Sequence, residues 1–111
     1  MEWFTSEIII HSEKGPWTME QTAVALSAIR VYLQSISCVP PSEADVTKCL
    51  EHALAFAREY RPSCNGAAMP CEYRPGRGEE AGSPEMFEEI AAKMRSECEA
   101  AGLVVTTDHY R

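Results

Sequence analysis

Apolar residues recur at steps of three and four in two successive segments, residues 18–36 and 42–60. This spacing places them on one face of a helix, so each segment is predicted to be an amphipathic helix. Pro40 and Pro41 separate the segments and leave room only for a tight connection, which predicts a helical hairpin. The apolar faces consist of Met19, Ala23, Leu26, Ile29, Leu33 and Ile36 in the first helix and Val46, Leu50, Ala53, Leu54, Ala57 and Tyr60 in the second.

The first helix of this pair begins with a capping-box spacing, and the second begins at a serine cap followed by acidic residues in the first turn. Thr18 is followed three residues later by Gln21, and Ser42 is followed three residues later by Asp45. In such a box the hydroxyl accepts a hydrogen bond from a first-turn amide, while the later side chain accepts one from the amide of the cap residue. The helix starts are therefore predicted at residues 18 and 42.

Two β-branched runs lie outside the helical pair. Residues 8–10 are three consecutive isoleucines, and residues 103–107 read Leu-Val-Val-Thr-Thr. Both runs favour strands over helices. Successive side chains of a strand point to opposite faces, so the isoleucine run needs cover on both sides and is predicted to be sandwiched.

A third amphipathic helix is predicted directly before the second strand. Ser83 and Pro84 form a cap followed by a proline at the first helical position, where the missing amide costs nothing. Gly102 is placed to end the helix in a left-handed conformation. The apolar face consists of Phe87, Ile90, Met94, Cys98 and Ala101.

Residues 62–82 hold four of the six glycines and three of the seven prolines, which predicts a long loop with a mobile tip near residues 76–82. The alternation of Met69, Cys71 and Tyr73 is also compatible with a short strand.

We therefore expect a single α+β domain over residues 1–111, in the order β-α-α-loop-α-β. Three helices would cover one face of a small sheet made by the N-terminal and C-terminal strands. Because two strands are marginal alone, a third strand near residues 69–73 or a second subunit, as in a homodimer, would complete the sheet.

Charge and composition restrict the partners. Ten Lys and Arg against seventeen Asp and Glu give a net charge of −7. This charge repels phosphate backbones and anionic lipid, so nucleic acid and membrane surfaces are disfavoured as partners. No apolar run reaches the roughly 18 residues of a membrane span, and the chain is expected to be cytoplasmic.

The five cysteines do not follow the spacing of a metal module or of a secreted disulfide framework. Cys49 and His52 share a helix face but supply only two ligands, whereas a zinc site requires about four. A disulfide between Cys64 and Cys71 is sterically allowed, but a reducing compartment argues against it. We expect no metal and no cofactor.

Three functional classes remain open on the sequence. The first is an interaction module without catalysis, acting on a protein partner as an adaptor, inhibitor or regulator, for example by blocking a nucleic-acid-binding protein with an acidic surface. The second is a small-molecule-binding protein or thiol enzyme. Its pocket between the helices and the sheet would be lined by Cys49, His52 and Tyr60. The third is a DNA-binding regulator that uses the helical pair as a helix-turn-helix. The acidic residues at the N-terminal end of the second helix disfavour this class.

The sequence favours the interaction module because no catalytic motif accompanies the candidate nucleophiles. Arginine, tyrosine, methionine and proline in the predicted loop are residue types common at interfaces. The predicted contacts lie in this loop and, as a second set, on the acidic face of the third helix. They are Tyr73, Arg74 and Arg77 in the loop and Glu85, Glu88 and Glu89 on the helix.

Overall fold

The computed structural model describes residues 4–37, 39–63, 65–73 and 84–110. It contains three helices and a three-stranded antiparallel sheet, in which the N-terminal strand lies between the other two. The α+β class and the packing of the helices against the sheet are confirmed. The elements, in chain order, are β1 (Phe4–Ser12), α1 (Met19–Ile36), α2 (Glu43–Tyr60), β2 (Asn65–Tyr73), α3 (Pro84–Cys98), a 3₁₀ turn (Glu99–Ala101) and β3 (Leu103–Tyr110).

Strand β1 occupies the centre of the sheet, and its isoleucine run is buried on both faces as predicted. Ile8 and Ile10 point toward the main core, whereas Ile9 points to the opposite face. This alternation follows from the two-residue period of a strand. A continuous apolar run is suited to such a position because it has no side that faces water.

Strand β2 corrects the loop prediction for residues 62–82. All nine residues from Asn65 to Tyr73 pair with β1, from Phe4 opposite Tyr73 to Ser12 opposite Asn65. Pro70 is tolerated because β2 is an edge strand, where a missing amide need not break a ladder. The strand expected near residues 69–73 is therefore confirmed, and it is longer than predicted. Residues 74–82 lie outside the described residues.

The predicted capping box at Thr18 and the predicted cap at Ser42 are both confirmed, and Ser42 also forms a complete capping box. The Thr18 hydroxyl accepts from the Gln21 amide at 3.0 Å, and the Gln21 side chain accepts from the Thr18 amide at 2.9 Å. The equivalent distances between Ser42 and Asp45 are 3.1 and 3.0 Å. Helix α3 begins at Pro84, and its expected cap, Ser83, lies outside the described residues.

The main core lies between the helices and one face of the sheet. Its largest fully buried side chain is Phe87 of α3, which belongs to the same cluster as Ile29 of α1 and Leu50 of α2. Helix α2 also reaches the opposite face. There, Ala57 forms a second small cluster with Ile9 and Ala68. Because α2 contacts both faces, it passes along the β2 side of the sheet.

Candidate functional site

A groove with a volume of about 610 Å³ lies between α1, α2 and β2. Pockets that hold small ligands typically measure roughly 300–1,000 Å³, so the groove is large enough for a ligand or a short peptide segment. It is lined by Tyr32, Leu33 and Ser37 of α1 and its C-cap, by Val39, Pro40 and Pro41 of the connection, by Asp45, Lys48, Cys49, His52, Ala53 and Phe56 of α2, and by Ala68, Met69 and Pro70 of β2.

The floor of the groove consists of buried side chains from all three elements. Tyr32, Ala53 and Met69 belong to the main core and also line the groove. Burial raises the pKa of the Tyr32 hydroxyl, and the nearby thiols of Cys71 and Cys49 add to this effect. The hydroxyl therefore stays protonated at neutral pH and can donate a hydrogen bond.

The rim of the groove is exposed and mixed in character. Val39 is 70% exposed, although it is apolar. Lys48 and His52 lie one helical turn apart on α2, and both side chains are exposed. The groove therefore combines an apolar floor with a small number of polar groups at one margin.

Two of the three residues predicted for a pocket, Cys49 and His52, line this groove. The third, Tyr60, lies further along α2, where its ring packs at 4.6 Å from the ring of Phe56. Burial raises the pKa of the Cys49 thiol, which reduces the thiolate fraction needed for nucleophilic attack. Within the described residues, no hydrogen bond joins Cys49 to His52. The pair therefore lacks the geometry of an activated nucleophile.

The structure describes four of the six residues predicted as contacts in the loop and on the third helix. Tyr73 is the last residue of β2, while Arg74 and Arg77 lie outside the described residues. Glu85, Glu88 and Glu89 are exposed on α3. Of these three, Glu88 accepts hydrogen bonds from Thr107 and His109 of β3, both at its carboxylate oxygen Oε1.

A row of polar side chains that the sequence did not predict joins β1, β3 and α3. The hydroxyl of Ser6 lies 2.9 Å from Nδ1 of His109, and Nε2 of His109 lies 2.9 Å from Oε1 of Glu88. Thr107 donates a further hydrogen bond to the same carboxylate oxygen. A serine, a histidine and an acid are also the residues of a hydrolase catalytic triad, in which the serine is the nucleophile. Here, however, Ser6 is 0% exposed. Its burial keeps substrates away, so this row is structural.

Glu88→Gln is expected to reduce the loss of stability in acid. The hydrogen bond from Thr107, followed by that from His109, lowers the pKa of Glu88 from its ordinary value of 4.5. Stabilisation from a lowered pKa is complete above pH 4.5 and is lost as the pH falls through the lower value of the folded state. Because the carboxylate is more than half exposed, the effect should stay below about 1 kcal/mol.

Urea unfolding of Glu88→Gln between neutral pH and about pH 3 measures this effect. The neighbouring exposed Glu89→Gln is the control and should follow the parent chain. An equal loss of stability on acidification in Glu88→Gln and in the parent chain would contradict the assignment.

An ion-pair cluster on the opposite face of the sheet was also not predicted as a unit. Arg61, directly after α2, donates to Glu7 of β1 through Nε at 3.1 Å and Nη2 at 2.6 Å. It also donates to Asp108 of β3 at 2.7 Å. Glu7 is only 2% exposed. Since a buried carboxylate requires compensation, the first role of Arg61 is to hold the end of α2 on the sheet.

The chain was compared with protein families, with curated proteins and with solved structures, and none of the three comparisons found a match. Among the described residues, no three side chains of His, Cys, Asp or Glu are placed to hold a metal ion together. No helix in the described part of the chain combines the length and the apolar character that a membrane crossing requires.

Proposed function

We propose that the protein is an interaction module without catalysis, and that it binds a short apolar segment of a partner protein in the groove between α1, α2 and β2. The observation that carries this proposal is the open apolar groove with an exposed apolar rim at the α1–α2 connection. Exposed apolar surface next to a concave site is typical of protein-binding surfaces.

The distribution of exposed apolar side chains supports the position of this surface. Ile36 and Val39 lie at the end of α1 and in the connection that borders the groove. A solvent-exposed valine costs free energy that a bound partner would recover by covering it. Met19, which is 91% exposed, lies at the opposite end of α1 and provides a natural comparison.

Two other surfaces are less suited to docking. Strand β3 is an edge strand, but Arg95 of α3 donates through Nε at 3.3 Å and Nη2 at 3.1 Å to the Val105 carbonyl. A charged side chain on an edge carbonyl opposes the addition of another strand, including one from a second copy of the chain. The acidic face of α3 has one of its three carboxylates, Glu88, engaged by β3.

A small-molecule-binding protein is the second candidate, because the groove volume of about 610 Å³ falls within the ligand range. The Tyr32 hydroxyl, Cys49 and His52 would supply its polar contacts. A ligand of this kind would need enclosure on most sides, whereas Val39 at the rim remains exposed. The open rim therefore favours the peptide segment.

Selection of random peptides displayed on phage tests the proposal. Peptides bound by the chain should share apolar residues, and one labelled synthetic representative should perturb the amide resonances of groove residues. Val39→Ser should weaken its binding about threefold to tenfold, because an apolar contact at the rim is lost.

Met19→Ser is the matched control, since it removes a similarly exposed apolar side chain from the other end of α1. It should bind the peptide with unchanged affinity. The proposal would be abandoned if no peptide were enriched, or if resonance changes mapped away from the groove. Peptide-free chain that retained a small molecule through purification would favour the second candidate.

A further inference from the structure

We infer that the segment bound in the groove carries a carboxylate beside its apolar residues, and that Lys48 and His52 recognise this carboxylate. The inference rests on the proposed function and specifies the chemistry of the partner. It adds a polar requirement to a site whose floor is otherwise apolar.

The position of the two basic residues gives the first argument. Lys48 and His52 are four residues apart on α2 and therefore lie on the same side of the helix, where both line the groove. The lysine ammonium supplies a positive charge, and the imidazole offers a ring N–H in either protonation state. Together they can bind the two oxygens of one carboxylate.

The lack of internal partners gives the second argument. Among the described residues, neither Lys48 nor His52 forms a hydrogen bond or a salt bridge. Lys14, Arg58 and Lys93 are also exposed and form no described side-chain hydrogen bond or salt bridge, but none of them lines the groove. Arg30, by contrast, pairs with Glu43 at 3.2 Å, and Arg95 donates to the Val105 carbonyl at 3.1 Å. Two donors at the margin of an apolar groove are thus available to a bound group.

Asp45, the acidic residue that lines the groove, is engaged at the start of α2. Its carboxylate accepts from the Ser42 amide at 3.0 Å, and this hydrogen bond is the main reason that its pKa is lowered. The charge of Lys48 makes only the smallest contribution to that lowering. Asp45 therefore caps the helix and leaves the ammonium of Lys48 accessible to an external acid.

The net charge of −7 limits the partner further. An extended acidic surface would be repelled by the rest of the chain, whereas a single carboxylate beside apolar residues is attracted locally. The occupant is therefore an apolar segment with one Asp, one Glu or a terminal carboxylate. A polyanion does not fit this description.

The same phage selection tests the inference when it is repeated with Lys48→Glu. Peptides selected by the parent chain should contain Asp or Glu at a fixed position relative to the apolar residues. Those selected by Lys48→Glu should lose this preference and contain Lys or Arg instead. For one selected peptide, changing its acid to the amide should weaken binding to the parent chain about fivefold to tenfold.

Lys48→Met and His52→Ala should each bind the acidic peptide more weakly than the parent chain does. Both variants should bind the peptide whose acid is replaced by the amide as tightly as the parent chain does. Lys93→Met, on an exposed position of α3, is the matched control and should bind both peptides normally. Thermal unfolding of each variant checks that the fold is retained.

The outcomes separate the inference from the proposed function. Peptides that bind in the groove but show no preference for an acid, or whose acid contributes equally in Lys48→Met, overturn the inference and leave the docking function standing. If no peptide is enriched at all, both fail together. An acid preference that depends on Lys48 and His52 supports both.

Discussion

Gly66→Ala is expected to lower the free energy of unfolding by about 3 kcal/mol. A Cβ atom at this position would overlap the carbonyl oxygen of Ile10 and lie 2.8 Å from the Cα of His11. Both atoms belong to the backbone of β1, the central strand, so they cannot rotate away as a flexible side chain would. The ladder between β1 and β2 must open locally to admit the methyl group.

Urea unfolding followed by circular dichroism measures this effect through the transition midpoint. Asn65→Ala, in the preceding residue of β2, is the control, because the described contact of Asn65 is made by its backbone carbonyl with Trp17. It should change stability by less than about 0.5 kcal/mol. A Gly66→Ala chain as stable as the control would mean that β2 does not approach β1 as closely as the structure requires.

Arg61→Ala is expected to lower the free energy of unfolding by about 3 kcal/mol. The substitution removes two hydrogen bonds from the carboxylate of Glu7, which is almost completely buried, and one from Asp108. A buried carboxylate that loses two hydrogen bonds from a guanidinium keeps its desolvation cost. The same change also releases the end of α2 from the sheet.

Two controls separate this effect from a general loss of positive charge. Arg58→Ala, in the last turn of α2, removes an exposed arginine and should have little effect. Arg61→Lys should be intermediate, because an ammonium lacks the planar fork that reaches two carboxylates. In a double-mutant cycle, Glu7→Gln should reduce the cost of Arg61→Ala. Additive effects of the two changes would contradict a direct interaction.

Local interactions explain why the helices were predictable. A capping box joins residues three apart, and an apolar helix face depends on residues three and four apart. Thr18, Ser42 and the apolar residues that follow each of them therefore predict where both helices begin and which face is buried. Strand β1 was equally predictable, because a continuous run of β-branched apolar residues is typical of a strand buried on both faces. The shared position of Cys49 and His52 followed from helical periodicity alone.

Strand β2 shows where local information fails. Gly66 and Pro70 are both unfavourable in an isolated strand, and their presence predicted a loop. In the fold, β1 approaches closely at Gly66, and an edge position tolerates Pro70. The partner strand, which is more than 50 residues away along the chain, decides the structure of this segment.

The amino-acid sequence was sufficient to predict the α+β class, the three helices, the N-terminal and C-terminal strands, and the shared helix face of Cys49 and His52. Three contacts could be seen only in the folded chain: Tyr32 and Met69 share the floor of the groove, Arg61 pairs with Glu7, and His109 lies between Ser6 and Glu88. The two groups of features differ in how far apart the interacting residues lie along the chain. Helix periodicity and caps act over three or four residues, whereas these contacts depend on the sheet register and on the packing of helices that the register positions.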